Sequence, residues 1–267
     1  PVVMIRTYGA FARDPLYNGL QNRRVSVSAE LRYLLSPAEI AEKSVGEINA
    51  LLSDTFSFDN FRWQQENGVS VDEPFRADGL NRVLYKCPHC LTEGEMEGRG
   101  TMLTCRHCGR AYRLTELGAL ECVNGEAAFT HVPDWYAWER QCVREELENG
   151  SYCLDIPVRI CMMVNTRQIC RVGEGRLRHD GSGFHLTGCG GKLDYRQKPE
   201  SSYSLYADYF WYEIGDMLCI GDRSALYYCF PLAGGDVVAK TRLAAEELYK
   251  LRRANRQTPA RKERETV

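Results

Sequence analysis

Four cysteines in the middle of the chain stand in the pattern of a metal site. Cys87 with Cys90 and Cys105 with Cys108 form two CxxC pairs, and fourteen residues separate the pairs. Thiolates at this spacing can close a tetrahedron around one ion, and two such turns joined by a loop are typical of a zinc ribbon. The sequence therefore predicts that these four cysteines bind one structural Zn²⁺ ion.

His89 and His107 lie inside the two CxxC turns and are alternative ligands. With four cysteines at hand, we expect both histidines to stay outside the coordination sphere. Four protein ligands leave no open position for water, so the predicted site is structural rather than catalytic.

The loop between the CxxC pairs bears on nucleic-acid binding, because zinc ribbons also occur in nucleic-acid machinery. It carries Glu93, Glu95 and Glu97 against Arg99. Contacts to phosphate require the opposite sign of charge. The formal net charge of −2 adds no general attraction to phosphate-rich partners. We therefore expect no nucleic-acid partner.

The histidines and cysteines outside the CxxC turns have no catalytic partner at a spacing that is typical of an active site. His131 precedes Asp134, and His179 adjoins Asp180, but neither pair comes with a nucleophile. We predict capping and surface roles for both histidines. The cysteines outside the CxxC pairs fall largely among apolar neighbours, where a thiol packs as a small hydrophobic group. No catalytic residue is assigned.

Length and composition describe a globular chain of two or three units. Of its 267 residues, 44% are hydrophobic and 26% are charged. No run approaches the roughly 18 apolar residues that a membrane-spanning helix requires. Four of the twelve cysteines are in a metal-ligand pattern in a chain long enough to bury a core. These features favour metal binding over disulfides and predict a cytoplasmic location.

The elements before the CxxC pairs are predicted to be one strand and several helices. The apolar run that starts at Val2 is typical of a strand buried in a parallel sheet. Capping-box patterns that begin at Ser36 and Ser44 predict two helix starts, and Asp59 is expected to cap a third helix. The ribbon is predicted over 84–122, with strands at 84–85, 102–104 and 112–114. A connecting helix is predicted over 131–150.

The C-terminal part has the pattern of an all-β domain. Short alternating or apolar runs between turn signals predict an antiparallel sandwich or barrel over 151–255, which ends in a helix that starts near Asp236. Seven or so strands with one C-terminal helix is the arrangement of a pleckstrin-homology-like domain. The basic tail over 256–267 is predicted to be disordered.

Several segments resemble a known enzyme family. Pro1-Val2-Val3-Met4, Thr7-Tyr8-Gly9-Ala10-Phe11 and Arg13-Asp14-Pro15-Leu16-Tyr17 resemble the late part of bacterial lysophospholipid (1-acylglycerol-3-phosphate) acyltransferases. Segments 59–67 and 236–243, together with the ribbon, look like a subgroup with a long C-terminal extension. The resemblance covers nearly the whole chain, although only its first part would belong to the acyltransferase domain.

The resemblance implies transfer of a fatty acyl group from acyl-CoA or acyl-carrier protein to a lysophospholipid, in phospholipid biosynthesis. The family uses the histidine of an H-x-x-x-x-D motif as general base. None of the five histidines here has an aspartate five positions later, and the family's F-x-E-G-T-R phosphate-binding block is missing too. Both would lie upstream of Pro1, so we expect this chain alone to be inactive. A lipid substrate implies peripheral contact with the inner face of the membrane.

The predicted architecture is multi-domain α+β. In order it comprises the end of an α/β acyltransferase domain (1–83), the zinc ribbon (84–122), the connecting helix (131–150), the β domain with its helix (151–255) and the tail (256–267). Two alternatives remain open. One is a non-catalytic module whose β domain binds a partner protein or a lipid surface, and the other is a nucleic-acid-binding ribbon protein.

Overall fold

A computed structural model describes residues 1–164, 168–232 and 236–262. The chain is a mixed α+β protein whose strand pairs are antiparallel. The α-helices of the described part are α1 Ala10–Arg13, α2 Pro37–Glu42, α3 Val45–Phe56, α4 Asn60–Glu66, α5 Val132–Glu148 and α6 Val237–Lys262.

In the described part of the chain, the strands form three sheets of two, four and seven members. They are β1 Val2–Tyr8, β2 Ser28–Leu35, β3 Met96–Arg99, β4 Met102–Cys105, β5 Ala111–Leu114, β6 Leu120–Cys122, β7 Leu154–Val164, β8 Gln168–Asp180, β9 Gly183–Gly188, β10 Leu193–Gln197, β11 Tyr206–Trp211, β12 Gly215–Gly221 and β13 Leu226–Pro231.

The apolar run at the start of the chain is not buried in a parallel sheet, and that prediction is wrong. β1 pairs with β2 in an antiparallel sheet of two strands. Met4 is buried on the face where Tyr8 packs against Trp63, whereas Val3 and Ile5 are 47% and 68% exposed. Side chains alternate between the two faces of a strand, so covering one face leaves half of an apolar run in solvent.

The helix starts in this region agree with the capping patterns. Both predicted capping boxes are present, with Ser36 and Glu39 before α2 and with Ser44 and Glu47 before α3. Asp59 caps α4 by accepting a hydrogen bond from the Arg62 amide at 2.9 Å. Local signals fix these three helix starts because each cap needs only residues within one turn.

The four-stranded sheet forms the ribbon, in the order β3-β4-β5-β6. Residues 84–85 are not a strand, and the neighbouring Lys86 makes an isolated bridge to Glu93. The ribbon shares its core with other segments, because Tyr17, Phe61 and Trp135 belong to the same buried cluster as its own Leu103. The ribbon therefore packs as part of a larger unit.

The seven-stranded sheet forms the β domain, in the order β10-β9-β8-β7-β13-β12-β11. Two meanders, β7 to β10 and β11 to β13, join where β13 pairs with β7. Leu177 of the first meander and Leu218 of the second belong to one core, which Val238 of α6 also enters. The sheet curves around this core, since the Gly221 amide at the end of β12 donates to Gln197 Oε1 of β10.

The last helix extends further than the sequence indicated. α6 continues to Lys262, so residues 256–262 of the predicted disordered tail are helical in backbone. This stretch contains alanine, arginine, glutamine and lysine, which favour helix despite one proline. The rest of the predicted tail, 263–267, lies outside the described residues. Within the described part of the chain, none of the helices combines the length and apolar character needed to span a membrane.

His179 is buried in the β domain, and the predicted surface role is wrong. The residue is 1% exposed, and its ring stacks on that of Phe184 with centroids 3.8 Å apart. A hydrogen bond of 3.0 Å joins its Nδ1 atom and the Tyr152 hydroxyl. The side chain faces the core because β8 alternates in burial along this stretch. Burial lowers the pKa of His179 to about 3, so the ring is neutral in the folded protein.

The buried histidine should make the protein less stable in acid. Below the usual histidine pKa of about 6.5, the unfolded state binds a proton that the folded state does not bind. Stability therefore falls by up to about 1.4 kcal/mol per pH unit between about pH 6.5 and pH 3. We expect the free energy of unfolding of the wild type to drop by about 2 kcal/mol more than that of His179→Gln between pH 7 and pH 5.

Urea denaturation at the two pH values measures this difference. His185→Gln, at a more exposed histidine of β9, is the matched control for removing a histidine. Parallel pH dependence of the wild type and His179→Gln would show that His179 does not contribute to acid sensitivity.

Candidate metal centre

The structure brings the four predicted cysteine ligands together. The Sγ atoms of Cys87, Cys90, Cys105 and Cys108 all lie within 4.8 Å of one another. The Cys87–Cys108 and Cys90–Cys105 pairs are both separated by 3.7 Å. A tetrahedron with metal–sulfur bonds of about 2.3 Å has sulfur–sulfur edges of about 3.8 Å. The cluster thus has the donor set and the size to hold one metal ion.

The two CxxC turns repeat one backbone geometry. The Leu91 amide donates to the Cys87 carbonyl at 2.9 Å, and the Gly109 amide donates to the Cys105 carbonyl at 2.8 Å. Leu91 and Gly109 are each four residues after the first cysteine of their pair, and their φ angles are +62° and +75°. Glycine adopts this conformation readily, whereas leucine does so at a cost in strain.

Burial differs among the four thiols. Cys87 and Cys105 are buried, Cys90 is half-buried and Cys108 is exposed. Burial raises the pKa of Cys87 to about 12, which favours the thiol in the absence of a metal. Metal ions bind the thiolate, so loading of this cluster releases protons and weakens as the pH falls.

The two histidines within the turns do not belong to the cluster. His89 and His107 are both exposed, and the candidate metal group contains cysteines alone. The Arg110 guanidinium lies 3.4 Å from the His89 ring. The candidate metal group is thus complete without either histidine.

The residue before the first ligand attaches the cluster to α5. The Lys86 amide donates to Glu139 Oε1 at 2.9 Å, and the Lys86 carbonyl accepts from Trp135 Nε1 at 3.0 Å. Both Trp135 and Glu139 are fully buried. Burial raises the pKa of the Glu139 carboxyl well above its ordinary value. No sequence signal marked Glu139 as buried.

Four charged residues, which we call the ionic bracket, connect the region around the four cysteines to two helices. They are Lys86, Glu93, Glu146 and Lys240. Lys240 Nζ lies 2.7 Å from both Glu93 and Glu146, and Lys86 Nζ lies 3.2 Å from Glu93 and 3.6 Å from Glu146. Their side chains are 13% to 30% exposed, so solvent screens them less than an open surface pair. The bracket joins the first CxxC turn to α5 and to the first turn of α6.

A histidine–aspartate pair forms away from the metal-binding cluster. His131 Nε2 lies 2.6 Å from Asp59 Oδ2, while Asp59 also caps α4. The pair joins α4 to the start of α5. Sequence reasoning compared His131 with Asp134 and missed this partner, which is 72 positions away in the chain.

The fold and the cluster define a mixed α+β protein with a four-cysteine site of the kind that binds a metal. No protein-family model, curated protein or solved structure matches the chain.

Proposed function

We propose that the four cysteines hold a structural Zn²⁺ ion and that this chain is the C-terminal part of a glycerolipid acyltransferase. Such an enzyme transfers a fatty acyl group to a lysophospholipid in phospholipid biosynthesis, and its catalytic motif would lie upstream of this chain. Four cysteines in two CxxC turns are the common donor set for structural zinc, which supports this choice of metal. The acyltransferase assignment rests on one observation, the resemblance of segments 1–4, 7–11 and 13–17 to that family.

The β domain is proposed to be pleckstrin-homology-like. The support is its strand order, in which β7, the first strand of a four-stranded meander, pairs with β13, the last strand of a three-stranded meander. The C-terminal helix α6 adds Val238 and Ala245 to the core of that sheet. In the proposed enzyme, this domain would lie at the inner face of the membrane, beside the lipid substrate.

The activity test compares residues 1–267 with the same chain extended by its upstream sequence. With lysophosphatidic acid and acyl-CoA or acyl-carrier protein, we expect turnover from the extended protein and none from residues 1–267. Loss of a general base alone typically costs about 10²–10⁴-fold in rate.

Two outcomes would contradict the acyltransferase assignment. One is activity of residues 1–267 that disappears in His131→Ala or His179→Ala. The other is an extended protein that carries an H-x-x-x-x-D motif yet acylates none of the lysophospholipids offered.

A non-catalytic interaction module is the second candidate function. It is favoured by large apolar side chains that remain in solvent on the described residues. Ile5 and Leu31 face each other across β1 and β2 and are 68% and 71% exposed, and Tyr212 after β11 is 67% exposed. Exposed apolar neighbours such as Ile5 and Leu31 are typical of surfaces that bind a partner. Specific binding of a partner by an extended protein that lacks acyl transfer would favour this candidate.

A further inference from the structure

A polar cavity of about 410 Å³ lies where the ribbon meets the β domain. Its volume is within the range of small-molecule sites, which often form where two units of a protein meet. Residues from the 3₁₀ turn Leu80–Arg82, the second CxxC turn, β12 and the start of α6 contribute charged or amide groups. The charged and amide groups of the lining belong to Asn81, Arg82, Arg106, Asp216, Asp236 and, on β3, Glu97.

One charge pair in the lining is satisfied by the protein itself. Arg82 Nε lies 3.1 Å from Asp216 Oδ2, and Arg82 also donates to the Tyr17 carbonyl at 3.1 Å. The other oxygen of Asp216 accepts from the Phe210 amide at 3.0 Å. This pair forms a fixed wall of the cavity and leaves no charge for a ligand to neutralise.

Asp236 presents a carboxylate without a direct ion pair in the described part of the chain, although the positive charges of Arg82 and Arg106 are near enough to act against the rise in its pKa. It accepts a hydrogen bond from Asn81 Nδ2 at 2.8 Å, and no ion pair to it occurs within the described part of the chain. Burial raises the pKa of the Asp236 carboxyl despite the Asn81 hydrogen bond, and the negative charge of Asp216 adds to the increase. A cationic group that enters the cavity would stabilise the ionised carboxylate.

Arg106 presents a guanidinium held by long contacts. Its side chain is 56% exposed, lies 3.5 Å from Glu95 and donates to the Gly94 carbonyl at 3.4 Å. Both distances are at the weak end of the range for hydrogen bonds. The guanidinium therefore keeps donors for an anionic group, which arginine binds through two parallel N–H bonds.

We propose that this cavity binds a small zwitterion, with its ammonium group at Asp236 and its phosphate or carboxylate at Arg106. The lining carries the carboxylates of Asp236 and Glu97 and the guanidinium of Arg106. No ion pair joins either carboxylate to Arg106 in the described part of the chain, so a ligand with both charges satisfies groups of both signs. A molecule with a single charge satisfies one end. This inference does not depend on the acyltransferase assignment.

Isothermal titration calorimetry of the metal-loaded protein tests the proposal with defined probes. Phosphoethanolamine and β-alanine carry both a cationic and an anionic group. Ethanolamine carries only a cationic group, and inorganic phosphate is only anionic. We expect a zwitterion to bind at least about tenfold more tightly than either singly charged probe, because each charged contact contributes separately. A short-chain phosphatidylethanolamine in the same titration distinguishes a lipid headgroup from a free molecule as the source of this chemistry.

Variants at the two ends of the cavity locate the binding. Asp236→Asn and Arg106→Gln should each weaken the zwitterion by at least about tenfold. Asp14→Asn and Arg99→Gln remove the same charges outside the cavity and should bind like the wild type. Metal content and thermal unfolding of each variant show that the ribbon remains intact.

The proposal is overturned if no zwitterion binds at 10 mM, or if the singly charged probes bind equally well. It is also overturned if folded, metal-loaded Asp236→Asn and Arg106→Gln bind like the wild type.

Discussion

Replacing Cys87 and Cys105 together with serine should abolish metal binding and unfold the ribbon. The two residues supply one ligand from each CxxC turn, and both are buried. Without the metal, thiols and hydroxyls of the two turns remain beside a short four-stranded sheet. Structural zinc sites in small peptides contribute apparent free energies of about 10–16 kcal/mol at pH 7. Elemental analysis of the purified protein should give one zinc per wild-type chain and none for the double variant.

Unfolding should spread from the ribbon to the helices that the ionic bracket holds. Lys86 adjoins the first ligand, and Glu93 lies three residues after Cys90, so both lose their fixed positions with the metal. We expect faster amide exchange in α5 and in the first turn of α6 after chelation. The β domain has a core of its own around residues such as Ile160 and Leu177 and should persist.

Limited proteolysis after chelation separates these regions. Early cuts should fall within 84–122, and Cys153→Ser, at an exposed cysteine outside the cluster, is the matched control. Zinc retained by the double variant, or early cuts within the strands of the β domain from Leu154 to Pro231, would contradict the assignment.

The four-cysteine cluster was predictable because the information that specifies it is local. The two residues between the cysteines of each pair fix the geometry of each turn, and four cysteines in this pattern have few roles other than binding a metal. The helix caps at Ser36, Ser44 and Asp59 were predictable for the same reason. The contacts that attach this cluster to α5 and α6 were not predictable, because Glu139 and Lys240 are distant in sequence from the turn that they contact.

The β domain shows the same division between local and distant information. Alternating runs and the turn signals between them predicted most strands, but β10 gave no clear pattern. The pairing of β13 with β7 joins segments more than sixty residues apart, and nothing in the sequence of either segment identifies the other as its partner. The prediction that β1 is buried in a parallel sheet was wrong for a different reason. A fully apolar strand indicates burial on both faces, and the described chain covers one face.

Trp135→Ala should cause a large loss of stability because this side chain joins the ribbon to α5. The indole is fully buried, packs edge-on against Tyr112 with ring centroids 5.0 Å apart and also contacts Phe129 at 6.0 Å. Truncating a buried tryptophan typically costs about 3–5 kcal/mol. The change also removes the hydrogen bond to the Lys86 carbonyl, which leaves a polar group without its partner beside the metal-binding turn.

The matched control is Trp138→Ala, one turn further along the same helix. Trp138 is half-buried and packs against Phe129 at 5.7 Å, but no hydrogen bond from its indole to the ribbon occurs in the described structure. Urea denaturation of the metal-loaded proteins should show a loss for Trp135→Ala at least about 2 kcal/mol larger than for Trp138→Ala. Trp135→Phe keeps a ring in the core and should fall between them. Equal losses for the two alanine variants would mean that burial at Trp135 does not hold the ribbon to α5, and that the ionic bracket carries this connection instead.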